Sequence, residues 1–285
     1  MEYKEYKDIY DGLRRADDVE RYISEGYDRR MIETLYTQKV NRTVKKRYHI
    51  VKNRAPKLLN DWKRGMGFCD IAERNEFPPV LTAMMIFFEF GTPRKTFWEY
   101  VRNPDLLDSP EAAAELREAT AKDLVYSPAA NDRSTALGKW GEGLLWEWLD
   151  AQGVEYMTEA DERMQEKYAG EKTPDCLLDA PMNYEGKKIY WIESKASFGD
   201  AIEFRCNCRN QLIPYTQLFG PGVVVHWTGY VDGLECPPGI YLEDIGILDK
   251  EIGEWRGRGG CPRPVPDSFA DSMPDVEGAL PAELA

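Results

Sequence analysis

One short stretch of this chain constrains its fold more than any other, because it combines a hairpin with three charged residues at fixed spacing. Lys172-Thr-Pro-Asp175 comes first, Glu185-Gly186 follows as a tight turn, and Trp191-Ile-Glu-Ser-Lys195 lies on the apolar segment after it. Two apolar segments on either side of such a turn predict two antiparallel strands, Thr173 to Met182 and Lys187 to Ala196. The first carboxylate would then stand at the edge of one strand, and the acid and the lysine would lie on the other.

Strand geometry predicts how these side chains meet. Because side chains alternate across a strand, Ile189, Trp191, Glu193 and Lys195 are predicted to share one face, toward the side where Asp175 can reach them. Carboxylate oxygens are ligands for hard divalent cations, so Asp175 and Glu193 are candidate ligands for Mg²⁺ or Mn²⁺. A lysine beside them can orient a water molecule or stabilise charge that develops on a phosphate. The pattern is typical of metal-dependent phosphodiester hydrolysis.

Further features around the hairpin favour a site over a chance ion pair on the surface, which would satisfy the same letters. The Glu-x-Lys sequence lies on an otherwise apolar strand, where uncompensated charge is costly. The carbonyl of Ser194 offers a further oxygen ligand. An amphipathic helix from Gly138 to Gln152 carries Glu142 near its start. Gln211 and Tyr215 follow the hairpin four residues apart, which places them on one helical face.

Proline limits where that last helix can begin. Pro214 lies between Gln211 and Tyr215 and fits only the first turn of a regular helix, so the helix is predicted to begin near Asn210 to Ile213. A buried strand is predicted from Val223 to Val231. The middle of the chain therefore follows the order helix, strand, strand, strand, helix, strand, which indicates a mixed sheet flanked by helices.

The net charge of −13 divides unevenly along the chain. Residues 1–100 sum to +4 and residues 101–285 to −17, and residues 42–64 alone hold nine basic residues against one acid. Such clustering favours a stripe that binds nucleic-acid phosphates, although a solvated helix face would give the same pattern. The predicted nucleic-acid-binding residues are Lys45, Lys46, Arg47, Lys52, Arg54, Lys57, Lys63, Arg64, Arg74, Arg94 and Lys95.

The pattern predicts a helical domain before the hairpin domain. Residues 1–104 are predicted to be helical, with a helix-turn-helix at about 55–90, and residues 105–130 a connecting helix or linker. The third helix of the module, Val80 to Phe90, is almost wholly apolar, which predicts a buried helix and binding to nucleic-acid backbone or shape instead of bases. The hairpin domain covers 131–255, and 256–285 is predicted to be a disordered acidic tail.

The remaining composition limits the alternatives. With two histidines in the chain, a histidine-based dyad or triad is improbable. Six cysteines show only one close pair, Cys206 and Cys208, so isolated thiols are favoured over a zinc site with Cys236 and Cys261. The chain shows neither a signal-peptide pattern nor an apolar stretch long enough to span a bilayer. A cytoplasmic protein without membrane attachment is therefore expected.

These residues together resemble a known superfamily. Gly141-Glu142, Pro174-Asp175, Glu193-Ser-Lys195 and Gln211-x-x-x-Tyr215 are similar to the motifs of PD-(D/E)xK nucleases, which have a restriction-endonuclease-like fold. Within that superfamily the Lys172-Thr-Pro-Asp175, Trp191 to Asp200 and Phe219 to Gly222 segments resemble the TPD-motif family. The resemblance covers nearly the whole chain, because that family also pairs a helix-turn-helix region with a nuclease domain.

The resemblance implies roles for particular residues. Asp175 and Glu193 would be metal ligands, Lys195 catalytic, and Glu142 a third acid near the metal. Gln211 and Tyr215 would support the site or touch the substrate backbone.

The function expected from all this is Mg²⁺-dependent, structure-selective cleavage of DNA by an α/β nuclease with a preceding all-α domain. Two alternatives stay open: a nucleic-acid-binding regulator or scaffold whose nuclease fold is silent, and an RNA-processing nuclease. A homodimer would supply the two active sites that cutting both strands requires, and the sequence leaves that question open.

Overall fold

The computed structural model describes residues 1–250 and 253–254, which form two compact units. The helical unit is Ile9–Thr135. The sheet unit is discontinuous in sequence and consists of Met1–Asp8 together with the described residues from Ala136 onward. The predicted acidic tail, residues 256–285, lies outside the described residues.

The first part of the chain is helical, as its few breakers and apolar spacing predict. Helix α1 begins within Met1–Asp8 and continues into the helical unit. The helices are α1 Tyr3–Gly12, α2 Ala16–Ser24, α3 Arg29–Asn53, α4 Ala55–Lys63, α5 Phe68–Asn75, α6 Pro79–Glu89, α7 Arg94–Arg102 and α8 Pro110–Lys122, with a 3₁₀ turn at Pro104–Leu106.

Helices α4, α5 and α6 lie in the segment of about 55–90 for which a helix-turn-helix is predicted, and that this segment is such a module stays a prediction. Gly65, with φ +91°, lies between α4 and α5, and Pro79 occupies the first turn of α6, where its missing N–H costs nothing. Every side chain from Val80 to Phe87 is buried, which confirms the prediction of a buried third helix. Whether these helices bind DNA stays a prediction.

Helix α8 lies in the predicted linker and is packed within the helical unit. Leu116 and Ala119 belong to the same apolar cluster as the side chains of α6. Asp123, directly after α8, accepts a hydrogen bond from Val80 N at 3.0 Å and so satisfies a donor in the first turn of α6. Residues 105–130 therefore contribute to the core of this unit.

The sheet unit is a mixed α/β arrangement. Its elements are α9 Pro128–Ala151 (which begins within the helical unit), β1 Tyr156–Met157, α10 Glu162–Lys167, β2 Cys176–Tyr184, β3 Lys187–Lys195, α11 Ala201–Asn207, a π-helical turn Cys208–Leu212, α12 Ile213–Phe219, β4 Gly222–His226, β5 Ile240–Glu243, a 3₁₀ turn Ile245–Asp249 and β6 Gly253–Glu254. Apart from the short α10, α9 to β4 follow the predicted helix–strand–strand–strand–helix–strand order.

The sheet has the strand order β1-β2-β3-β4-β5, with β6 also pairing with β2. The β1–β2 and β2–β3 pairs are antiparallel, and the β3–β4 and β4–β5 pairs are parallel. The predicted strand from Val223 to Val231 is shorter in the structure: β4 ends at His226, and a turn closed by the Gly229 N–H to His226 O bond follows. A single bridge then joins Tyr230 to Gly199.

Each face of the sheet has its own apolar cluster. On one face, Leu145 and Leu149 of α9 pack with Ile192 and Val225. On the other, Phe204 of α11 and Tyr215 of α12 belong with Trp191 and Val224. The alternation of buried residues along β3 and β4 thus places helices on both faces and buries the central strands.

A bulge corrects one prediction about β3. Ile189 pairs with Met182 and packs in the α9-side cluster, whereas Trp191 pairs with Leu177 and packs in the α12-side cluster. The register of β2 against β3 shifts between Leu177 and Met182. The prediction that Ile189 shares a face with Trp191 is therefore wrong, because a bulge breaks the two-residue period of a strand.

The segment around Gln211 confirms one prediction and adds a feature that was not predicted. The helical segment begins at Ala201, and the π-helical turn at Cys208–Leu212 joins α11 to α12. Helix α12 begins at Ile213 with Pro214 in its first turn, as predicted, whereas Gln211 lies before it, in the π-helical turn. A π turn locally changes the backbone hydrogen-bond pattern, so a proline without an N–H is accommodated shortly after it.

Residues 1–8 pack on the loop that follows β3. Tyr6 Oη donates a hydrogen bond to Asp200 Oδ2 at 2.9 Å, and the Tyr6 ring stacks on Phe198 at 5.8 Å between centroids. The other oxygen of Asp200 accepts from the N–H groups of Ile202 and Glu203, so this side chain caps the helix that follows.

Within the described residues, the helices are too short or too polar to span a bilayer.

Candidate active site

The hairpin brings the three predicted residues together. Glu185 and Gly186 have φ values of +48° and +77°, the pair of positive values that a two-residue type I′ turn requires. Cys176 pairs with Ile192 across the antiparallel ladder, so Asp175, one residue earlier, lies beside Glu193.

Asp175 and Glu193 are locked to each other's strand by two hydrogen bonds. Asp175 N donates to Glu193 Oε2 at 3.1 Å, and Ser194 N donates to Asp175 Oδ2 at 2.8 Å. The Glu193 carboxylate is thus held by the main-chain N–H of Asp175, and the Asp175 carboxylate by the N–H of Ser194, the residue after Glu193. Two rigid strands therefore fix both acids.

Lys195 completes the centre from the same strand. Its Nζ donates to Glu193 Oε1 at 2.6 Å and to Gln211 Oε1 at 2.8 Å. Gln211 lies inside the π-helical turn, which places its side chain against the lysine. The predicted grouping of Lys195, Glu193 and Gln211 is therefore present in the structure.

Burial sets the electrostatics of the two acids. Glu193 is only 2% exposed, and burial, reinforced by the Asp175 charge, raises the pKa of Glu193 to about 7. Burial also raises the pKa of Asp175, against the hydrogen bond from Ser194 and the charge of Lys195. Burying two negatively charged carboxylates side by side costs more free energy than the charge of one lysine offsets. Such a centre favours binding of an additional cation.

Glu142 approaches this centre from helix α9. Burial raises the pKa of its carboxyl, and the next contributions come from the charges of Asp175 and Glu159. Glu159, which follows β1, also contributes to the raised pKa of Asp175. Sequence reasoning missed Glu159, since nothing in its local pattern sets it apart from other surface acids.

The donor set fits a hard divalent cation. Asp175 and Glu193 offer carboxylate oxygens at one position, whereas soft thiolate and imidazole ligands are not part of this group. Among the described residues no three His, Cys, Asp or Glu side chains are close enough to hold one ion together. The carbonyl of Ser194, water and substrate would have to complete the coordination, as Mg²⁺ commonly requires. The ligand roles of Ser194 and Glu142 stay predictions.

Tyr215 lies behind Gln211. Its ring meets Trp191 edge-on, with centroids 5.5 Å apart, and the side chain is buried. Burial and the charges of Glu193 and Asp175 raise the pKa of Tyr215, while a hydrogen bond with Gln211 acts in the opposite direction. The phenol therefore stays protonated and supports Gln211, so the structure groups both predicted supporting residues with the centre.

Two contacts around the site were not foreseen. Lys172 Nζ donates to Asn210 O at 2.6 Å, which ties the residue before Thr173-Pro174-Asp175 to the π-helical turn. Trp227 Nε1 donates to Ser194 Oγ at 2.7 Å. Gly141 within helix α9 was a usable signal for the second contact, because helical glycine is costly without a packing reason.

The predicted nucleic-acid-binding residues all lie in the helical unit. Arg47 forms an ion pair with Glu76, and Lys63 lies over the Phe90 ring at 5.4 Å. The exposed members are Lys46, Lys52, Arg54, Lys57, Lys63, Arg64, Arg74, Arg94 and Lys95, and the half-buried members are Lys45 and Arg47. Most of the stripe is thus available to solvent.

The thiols and the second histidine are separate from the chemistry of this centre. Cys69, Cys176, Cys206, Cys208 and Cys236 are free thiols, as predicted, although Cys236 is exposed; Cys261 lies outside the described residues. His226 is fully buried, and its Nδ1 lies 2.7 Å from Ser197 O. Burial, followed by the charge of Lys195, lowers the pKa of His226 to about 4, so the ring is neutral.

The fold and the site define an α/β protein with a buried carboxylate–lysine centre on a mixed sheet. Residues 108–249 match a family model described as a protein of unknown function with a TPD sequence motif, and Thr173-Pro174-Asp175 lies within the match. The chain belongs to this TPD-motif family.

Relatives carry the name CDAN1-interacting nuclease 1. The protein from Xenopus laevis is 30% identical over 184 residues, which cover 61% of this chain and 60% of that relative. The one from Homo sapiens is 29% identical over 225 residues, 76% of this chain and 73% of the relative, and that from Gallus gallus 26% identical over 235 residues. The chain thus spans about three fifths of the frog relative's length. No solved structure matches the chain significantly.

Proposed function

We propose that this protein is a metal-dependent nuclease with a restriction-endonuclease-like core that hydrolyses phosphodiester bonds in DNA. The observation that carries the proposal is the reciprocal pair of hydrogen bonds between Asp175 and the Glu193-Ser194 segment, with Lys195 bonded to Glu193. The names of the relatives support nuclease activity at the level of the family.

The proposed roles follow from the contacts. Asp175 and Glu193 would hold the ion, with Ser194 O as a further ligand and Glu142 as an additional acid beside them. Bound Mg²⁺ or Mn²⁺ would polarise the scissile phosphate and lower the pKa of a coordinated water molecule. Lys195, aligned by Glu193 and Gln211, would orient the attacking water or stabilise the negative charge on the phosphate. Tyr215 would keep Gln211 in place.

The helical unit would bind the substrate through its phosphates. From Val80 to Phe87 helix α6 is buried, and Thr82 is its one polar residue in that stretch. A buried helix offers no side chains for base edges in the major groove. Binding through the exposed basic residues of α3, α4 and their neighbours favours recognition of backbone and shape, and hence of DNA structure.

Cleavage of a labelled substrate panel tests the proposal. Purified full-length protein would be incubated with single strands, duplex, flap, splayed fork and four-way junction, and with RNA equivalents, in Mg²⁺, Mn²⁺ or EDTA. Asp175→Ala is the test variant, and Asp179→Ala, which changes an exposed acid on β2, is the matched control. We expect EDTA and Asp175→Ala each to abolish cutting, while Asp179→Ala cuts as the wild type does.

The other outcomes point to the alternatives. Salt-sensitive binding without cutting in any metal would indicate a silent scaffold. Preferred cutting of the RNA members would indicate an RNA-processing enzyme. Wild-type cutting by Asp175→Ala would refute the assignment of the site. Chain mass in solution, measured by light scattering, would decide whether a homodimer supplies two sites.

A further inference from the structure

Ser194, the residue between the two candidate catalytic side chains, is held at two points. Its main-chain N–H bonds to Asp175 Oδ2 at 2.8 Å, and its hydroxyl oxygen accepts from Trp227 Nε1 at 2.7 Å. Trp227 follows β4 directly and is 4% exposed. A buried indole N–H needs an acceptor, and here the acceptor is a residue of the candidate site.

The same indole limits how closely helix α9 can pack. A Cβ atom on Gly141 would lie 2.3 Å from Trp227 Cδ1 and 2.4 Å from its Nε1, far inside van der Waals contact. The Trp140 ring meets the indole edge-on at 6.2 Å between centroids. Only glycine fits at 141, and Glu142 is the next residue along the helix.

Trp227 therefore joins helix α9 to strand β3. It packs in the α9-side cluster with Leu145 and Trp148, and its N–H bond reaches β3, the strand that carries Glu193 and Lys195. The position of Glu142 on α9 and the path of the backbone at Ser194 are both fixed against this one ring.

We propose that Trp227 is a positioning residue that holds Ser194 and helix α9 in place and thereby sets the affinity of the site for its divalent cation. This inference rests on the proposed function. Trp227 acts through Ser194 O, Asp175 and Glu142, which would surround the ion, and the indole itself does not touch it. A packing role alone would give the protein stability without affecting how tightly it binds a metal ion.

The test measures Mn²⁺ binding to the full chain by calorimetry, without nucleic acid. Trp227→Phe keeps most of the ring and removes the N–H, and Ser194→Ala removes the acceptor. We expect each to weaken Mn²⁺ binding about fivefold, the factor that one lost hydrogen bond produces. Combined, they should weaken it no further than either alone, because both remove the same bond. Ser194→Thr keeps a hydroxyl and should restore binding.

Two glycine-to-alanine substitutions in α9 separate the effect of moving the helix from the effect of changing its intrinsic stability. Gly141→Ala forces the helix and the indole apart and should weaken Mn²⁺ binding by about tenfold or more, since it shifts Glu142 as well. Gly143→Ala, two residues along the same helix, meets nothing within 4 Å and should bind Mn²⁺ as the wild type does.

The results distinguish this inference from the proposed function. Wild-type Mn²⁺ affinity in Trp227→Phe and Ser194→Ala, measured below their melting temperatures, would overturn the inference and leave the nuclease proposal standing. A wild-type chain that binds no Mn²⁺ and cuts nothing would remove both. Equal losses in Gly141→Ala and Gly143→Ala would likewise overturn it, because the effect would then come from the helix and not from the indole.

Discussion

In the helical unit most basic side chains lie on the surface, whereas the sheet unit withdraws two acids and a lysine from water. Lys46, Lys57 and most of their basic neighbours are exposed, but Glu193 is 2% exposed and its lysine partner is mostly covered. Exposed charge costs little and is compatible with several functions, while buried charge is expensive unless it is paired and put to use. The sheet unit therefore carries the stronger functional argument, although the helical unit has the larger cluster of charge.

The largest expected effect is the loss of cleavage in Lys195→Met, and the same exchange in the helical unit, Lys57→Met, serves as its comparison. Lys195→Met should lower the cleavage rate by about a thousandfold or more, because it removes the charge that would face the reacting phosphate. Lys57→Met, in helix α4, should leave the rate unchanged with saturating substrate. Single-turnover cleavage measures both, and circular dichroism checks that each variant is folded. Comparable losses in the two variants would break the contrast between the units.

The two histidines give the next largest contrast. His226 is buried in the sheet unit with a pKa of about 4, against about 6.5 in an unfolded chain, and His49 is exposed in the helical unit. Between these values the unfolded state binds more protons. The contribution of His226 to stability is therefore complete above pH 6.5 and is lost as the pH falls toward 4, by up to about 3 kcal/mol.

Urea denaturation between pH 4 and pH 7 measures this contribution. His226→Gln should show a shallower loss of stability on acidification than the wild type, and His49→Gln should follow the wild type. An unchanged slope in His226→Gln would mean that the imidazole reaches solvent or another proton acceptor in solution.

The smallest effect is expected from the basic stripe. Neutralising Lys45, Lys46 and Arg47 together should weaken DNA binding about tenfold at moderate salt and reduce the slope of log affinity against log salt by about two, since each phosphate contact contributes about one. Arg47 should contribute least, because it is already paired with Glu76. A triple change at Arg14, Arg15 and Arg21 removes the same charge outside the stripe and serves as control. An unchanged salt slope would identify the stripe as a solvated helix face.

The grouping of the candidate site was predictable because it depends on local rules. A two-residue turn at Glu185-Gly186 fixes which residues of β2 and β3 pair, and strand alternation then places Glu193 and Lys195 together. Asp175 needed only to precede the first strand. The buried helix α6 was predictable for a similar reason. A mostly apolar segment between Pro78-Pro79 and Gly91 has the length of a helix, and its side chains are excluded from water only if that helix is buried.

Other features depended on contacts that no local pattern specifies. The irregular register that separates Ile189 from Trp191 sets a step of five positions along β2, from Leu177 to Met182, against a step of two along β3, and Pro181 lies within it without specifying the size of the shift. The π-helical turn at Cys208–Leu212, which places Gln211 before α12, has no proline or glycine to mark it. The bond from Trp227 to Ser194 joins residues 33 positions apart and appears only when α9, β3 and β4 are packed together.

The discontinuity of the sheet unit affects the order in which the protein can be completed on the ribosome. Tyr6 is synthesised some 190 residues before its partners Phe198 and Asp200. Ile9–Thr135 can collapse meanwhile from contacts within its own stretch, since domains generally fold as units during synthesis. The amino-terminal segment must wait unpaired for its loop, so pulse-labelling of nascent chains should show its protection from protease arising last.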